Sequence, residues 1–82
     1  MKKVFPKLMR RNQVLGVYPV SVSTLYERIH AGLFPPPIPL GGRIVGWIEY
    51  EVEACINAMM NEIAPESLKK VVSDLVIGRQ KI

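Results

Sequence analysis

The sequence predicts a mainly α-helical domain with one small β-hairpin, in winged helix-turn-helix order, followed by an extra C-terminal helix. Three observations carry this reading. Two short helical stretches are separated by a Tyr18-Pro19 break. Four prolines among residues 35–39, then Gly41-Gly42 and the apolar run Arg43–Ile48, read as two extended segments joined by a turn. Two amphipathic segments follow, one on each side of Ala64-Pro65.

Residues 1–9 read as a basic arm with a short extended lead into the domain. The first helix is expected over Arg11–Val17, where Val14, Leu15 and Val17 are apolar. It stops at Tyr18-Pro19 because proline disfavours a helical conformation in the residue before it. Ser21 opens a second helix, its hydroxyl accepting a free backbone N–H of the first turn. Val22, Leu25 and Ile29 recur at helical spacing and form its inward stripe. Gly32 ends it, since glycine takes the left-handed conformation past a helix end without strain. The proline run lacks donors and stays extended, and Gly41-Gly42 suits a tight hairpin turn. In the returning strand Val45 and Trp47 share one face and Ile44 and Ile48 the other. Trp47 has the larger apolar area to bury and is expected inward.

Glu49, Glu51 and Glu53 cluster at the start of the third helix, where negative side chains favour the helix dipole. Val52, Cys55, Ile56, Met59 and Ile63 form its inward stripe. The fourth helix, Glu66 to about Ile77, carries Leu68, Val71, Val72, Leu75 and Val76; Gly78 ends it, and Arg79–Ile82 form a basic tail. The chain thus divides into a winged helix-turn-helix unit, residues 1–64, and a C-terminal amphipathic helix with its tail, residues 65–82. A chain of 82 residues buries only roughly 60–65% of its unfolded surface. The fourth helix is therefore expected to fold back over the small core rather than to meet another copy or a partner protein.

Composition removes several classes of function. A single cysteine, Cys55, excludes an intrachain disulfide and a multi-cysteine zinc site. The one histidine, His30, reads as a surface helix residue, and Cys55 as a small buried hydrophobe. No paired acid and base, phosphate-cradling glycine loop or metal-ligand spacing is present, so neither catalysis nor a cofactor is expected. No apolar run approaches the ~20 residues needed to cross a bilayer. Pro6 and Lys7 interrupt the stretch where a signal peptide would be apolar, which points to a reducing cytoplasm.

Charge is unevenly placed. Residues 1–47 carry seven Lys and Arg against one Glu, or +6; residues 48–82 carry four against six acids, or −2. The positive portion suits a polyanion: DNA, RNA or an acidic membrane face. At about 100° per residue, the inward stripe of the second helix leaves Ser23, Glu27, His30 and Ala31 opposite it, with Thr24 and Arg28 on one flank and Tyr26 on the other. Ser23 and Thr24 are small polar residues near the helix start, suited to base edges. Tyr26 and Arg28 have the reach for phosphates on either side. Glu27 could accept from a cytosine amino group. Arg43, directly after the glycine turn, sits where a cation touches the backbone or enters a minor groove. Arg10 and Arg11, at the start of the first helix, complete a candidate DNA-binding set with these residues.

The segments Ser21-Val22-Ser23-Thr24-Leu25-Tyr26, Gly32-Leu33-Phe34-Pro35-Pro36-Pro37, Leu40-Gly41-Gly42-Arg43-Ile44-Val45-Gly46-Trp47 and Glu51-Val52-Glu53 together resemble the AlpA-like family of prophage regulators and excisionases. The resemblance runs from about Leu8 to Met60. It implies a winged helix-turn-helix and sequence-specific binding of double-stranded DNA near phage or genomic-island attachment sites, on the bacterial nucleoid. Some members are recombination directionality factors, which bend DNA and steer an integrase towards excision; others regulate transcription. An integrase and further copies on adjacent sites are the implied partners, and no membrane is involved.

Several residues depart from the family pattern. Val22 and Glu27 stand where the family often has arginine, and Pro39 and Gly46 at wing positions that are often basic. Cys55 replaces a usual tryptophan. Pro19 stands where the turn usually has glycine, and since proline cannot take the left-handed conformation, that turn must differ locally. The thinner set of cations, with the acidic third helix, keeps open a second reading: an adaptor that docks on an integrase or repressor without reading DNA.

Overall fold

A computed structural model of the chain describes residues 5–79. Their order is β1 (Leu8–Met9), α1 (Arg11–Val17), α2 (Val22–His30), β2 (Ile38–Gly41), β3 (Ile44–Ile48), α3 (Glu49–Met60) and α4 (Pro65–Gly78). This is the expected winged helix-turn-helix with a fourth helix. Met1–Val4 of the arm and Gln80–Ile82 of the tail lie outside the described residues.

The turn between α1 and α2 is built on Pro19. The Val20 N–H donates to the Tyr18 carbonyl at 2.8 Å, a γ-turn whose central residue needs a φ close to the one proline imposes. This is how the chain turns here without the glycine usual in the family. The Tyr18 ring stacks on Phe34, with centroids 4.8 Å apart and planes 9° apart. The stack ties the turn to the segment leading into the hairpin.

The sheet has three strands, in the order β1-β3-β2. The extended lead expected near the N-terminus is a true strand: Leu8 pairs with Ile48 and Met9 with Trp47. The Glu49 N–H extends the ladder to the Lys7 carbonyl at 2.8 Å. In the hairpin Gly41 still pairs with Ile44, so the two-residue loop is Gly42-Arg43, one position later than expected. Gly41 and Gly42 have φ of +110° and +57°, values that only glycine holds without strain. The register slips between Pro39 and Gly41. Pro39, which has no N–H to give, lies on edge strand β2, where that loss is tolerated.

Val14, Leu25, Phe34, Trp47, Val52, Cys55, Leu68 and Val72 form one buried cluster drawn from every layer. Trp47 points inward as expected. Its Nε1–H donates to the Pro35 carbonyl at 3.1 Å, satisfying an acceptor in the proline run. Ile48 is also buried, whereas Ile44 on the same face is exposed. Strand β3 runs from the hairpin tip into the molecule, so alternation alone does not decide burial at its two ends.

The Cys55 thiol donates to the Leu33 carbonyl at 3.4 Å. Burial pushes its pKa from 9.0 up to about 11. The native state therefore holds this proton more tightly than the unfolded chain. The stabilisation it represents is complete below pH ~9 and is lost as pH rises through ~11. At pH 8 the thiol is expected to resist a chromogenic disulfide reagent in the folded protein and to react at once in 6 M guanidinium. Fast labelling of the native state would show that the core around Cys55 opens readily.

Ile63, assigned to the inward stripe of α3, lies past that helix, which ends at Met60. Other sequence expectations change as well. Val22, assigned to the inward stripe of α2, is 42% exposed: as the first helical residue it lies beyond the core that covers Leu25 and Ile29. Tyr26 is half-buried rather than free on a flank, its ring tilted against Trp47 with centroids 6.5 Å apart. Glu51, grouped with the acids at the start of α3, is fully buried, and Arg79, assigned to the tail, is its partner. The Arg79 Nε–H donates to Glu51 Oε2 at 2.7 Å, and Nη2 reaches both Glu51 Oε1 and the Pro36 carbonyl, the latter at 2.7 Å. The end of α4 is thereby bound to α3 and to the proline run. Helix α4 itself, with Pro65 in its first turn, packs along α3 and inserts Leu68 and Val72 into the core.

Candidate nucleic-acid interface

The start of α1 is held in place locally. The Arg10 backbone N–H donates to Gln13 Oε1 at 2.8 Å, so the side chains of Arg10 and Arg11 leave from a capped helix start. At the start of α2 the Thr24 N–H donates to Ser21 Oγ at 3.1 Å, the cap expected from the sequence. The Ser21 hydroxyl in turn donates to Thr24 Oγ1 at 2.9 Å. Thr24 is half-buried and its hydroxyl oxygen already accepts a hydrogen bond, while Ser23, Glu27, Arg28 and His30 are exposed along α2. Gly32, with φ of +78°, follows the C-cap and turns the chain into the hairpin.

The helix starts and the hairpin tip meet around a single open groove of about 640 Å³. Arg10, the N-cap of α1, lines it with Arg11, Asn12 and Leu15 of that helix, Val22 from α2, and Arg43, Ile44 and Val45 from the hairpin. Three of the arginines singled out in the sequence are thus brought together, although more than thirty positions separate Arg11 from Arg43. Ser23, Glu27 and Arg28 do not line the groove; they continue along the exposed side of α2. Asn12, Leu15, Val22, Ile44 and Val45 are groove residues that sequence reasoning missed. Asn12 carries no pattern signal, and the helical spacing of Val22 pointed to the core.

No acidic residue lines the groove. Among the described residues the ion pairs are Lys69–Glu66 and Arg79–Glu51, which leaves Arg10, Arg11, Arg28 and Arg43 uncompensated by a close carboxylate. Such a cluster makes a local positive potential that favours a polyanion. Gly46 is buried, and a Cβ there would come within 2.9 Å of Leu40 Cδ1. A basic side chain at this wing position would have to displace Leu40. Among the described residues, no three His, Cys, Asp or Glu side chains group as a metal site requires, and no helix is long and apolar enough to cross a membrane.

A family model described as prophage CP4-57 regulatory protein (AlpA) matches residues 7–60. The chain belongs to the AlpA family. In this AlpA-family protein the match runs from β1 to the end of α3 and includes the whole groove. Helix α4 lies outside the match, yet it completes the core and supplies the partner of Glu51. Over 48 residues the chain is 42% identical to the uncharacterized protein ORF88 of Enterobacteria phage P4. That stretch is 58% of this chain and 54% of the phage protein, so the AlpA-family chain spans about half the length of the curated relative it matches. No solved structure matches the chain significantly.

Proposed function

We propose that the protein is a sequence-specific DNA-binding regulator of a prophage or genomic island. In this reading it acts as an excisionase-like recombination directionality factor, binding and bending attachment-site DNA to steer an integrase towards excision. The observation that carries the proposal is the convergence of Arg10, Arg11 and Arg43 with the start of α2 around one acid-free groove, in a chain of a prophage regulatory family. Helix α2 enters the major groove with Ser23 and Glu27 towards base edges and Arg28 towards phosphate. Thr24, beside Ser23, faces base edges from a side chain held by Ser21, and Tyr26, its ring held against Trp47, offers its hydroxyl to a phosphate. Arg43 grips the adjacent backbone or minor groove, and Arg10 and Arg11 neutralise flanking phosphates. The protein catalyses nothing, needs no cofactor, and works in the bacterial cytoplasm on the nucleoid, where neighbouring copies occupy adjacent sites.

A mobility-shift titration on attachment-site and random duplexes, at several salt concentrations, tests this. Four arginines on phosphates give a log–log salt slope of about −4, and a circular-permutation assay reads the bend. A flat salt dependence, or no shift on any duplex, would reject DNA binding. That outcome would favour an adaptor docking through the separate groove where Glu49 and Glu53 accompany Tyr50 and Met60. The same contacts also serve a transcription regulator of prophage genes. An excision assay with the cognate integrase separates the two roles, because only a directionality factor changes the recombination outcome.

A further inference from the structure

Val22 and Ile44 line the arginine groove from α2 and from the hairpin, at 42% and 51% exposure. A single exposed valine is ordinary. Here the half-buried Leu15 and Val45 line the groove with them, so an apolar patch lies among three arginines. The arginines attract a polyanion, and a phosphate gains nothing from a methyl group. An apolar spot inside a cationic groove is useful only if the polyanion brings an apolar group of its own. In the major groove of DNA, that group is the C5-methyl of thymine. Val22 is well suited to meet it. It is the first residue of α2, directly before Ser23, and its branched side chain has few rotamers to lose on contact.

We propose that Val22 is a specificity-determining residue that packs against a thymine C5-methyl, so that the preferred site holds a thymine opposite the start of α2. This rests on the DNA-binding reading above and adds a base preference to it. Ile44 closes the same apolar spot from the hairpin side.

The test begins with in vitro selection of duplexes from a random library by the full chain. Each thymine of the selected site is then replaced in turn by deoxyuridine, which removes only the methyl group. One thymine per bound protomer is expected to lose about three- to fivefold in affinity on replacement, the value of one buried methyl. The Val22→Ser variant should bind the thymine and deoxyuridine duplexes equally. Val22 is exposed, so the variant should keep its fold, and its far-ultraviolet circular dichroism melt should match the parent. A selected site at which every deoxyuridine is silent overturns the inference and leaves DNA recognition standing. So does discrimination that persists undiminished in Val22→Ser. A library from which nothing is enriched overturns the sequence-specific reading and the inference together.

Discussion

Replacing Arg79 by alanine is expected to lower the unfolding free energy by about 3 kcal/mol, read as the loss in a urea titration. Glu51 is fully buried while the Arg79 side chain keeps 20% of its surface in water. Removing the guanidinium strands a carboxylate in the core and frees the Pro36 carbonyl as well. The partial exposure of Arg79 sets the loss at the lower end of what breaking a buried pair costs, because water can partly replace it. For a domain of this size the melting temperature should fall by roughly 12–24 °C. A protein this short has only about 4–12 kcal/mol of stability in total, so the variant would be marginal at 37 °C. The double variant Glu51→Leu/Arg79→Met should recover most of the loss, since apolar residues can fill the space of a buried pair at little cost. A loss below about 1 kcal/mol in Arg79→Ala would mean that the clamp does not hold α4 in solution.

The triple variant Arg10→Ala/Arg11→Ala/Arg43→Ala is expected to lose roughly a hundredfold or more in DNA affinity near 0.15 M salt. Its salt slope should flatten from about −4 towards −1, because only Arg28 of the four remains. All three side chains are exposed, so the fold should be unaffected. The control is Lys69→Ala/Lys70→Ala on exposed positions of α4, which removes positive charge away from the groove. If charge acted only through the net value, the control would lose affinity in proportion to the charge removed. The local reading requires it to remain close to the parent. Equal loss per charge in both variants would dissolve the groove as a site, and an unchanged triple variant would remove it from DNA binding altogether.

The local setting of several candidate residues is legible in the sequence. Arg43 was assigned to a hairpin tip because the glycines before it permit a turn, and Ser21 to a cap because its hydroxyl suits a helix start. Both depend on neighbours a few residues away. The convergence of Arg43 with Arg10 and Arg11 on one groove is not legible that way, because it depends on how the hairpin packs beside α1. Asn12 could not be found that way, since an asparagine in a first turn has several ordinary uses. Val22 was misassigned for a definite reason. A helical wheel gives the direction of a side chain but not whether the core extends as far as that turn.

The amino-acid sequence by itself determined the helix limits of α1 and α2, the serine cap, the glycine stop and the proline-stiffened hairpin. These are set by backbone dihedral preferences and hydrogen bonds within a turn or two of each residue. Only the tertiary structure decided that Leu8 and Met9 form a third strand, that Val22 faces solvent and that Arg79 reaches back 28 positions to Glu51. Those outcomes depend on which surfaces meet. A charged or apolar side chain has no fixed environment until distant parts of the chain have packed around it.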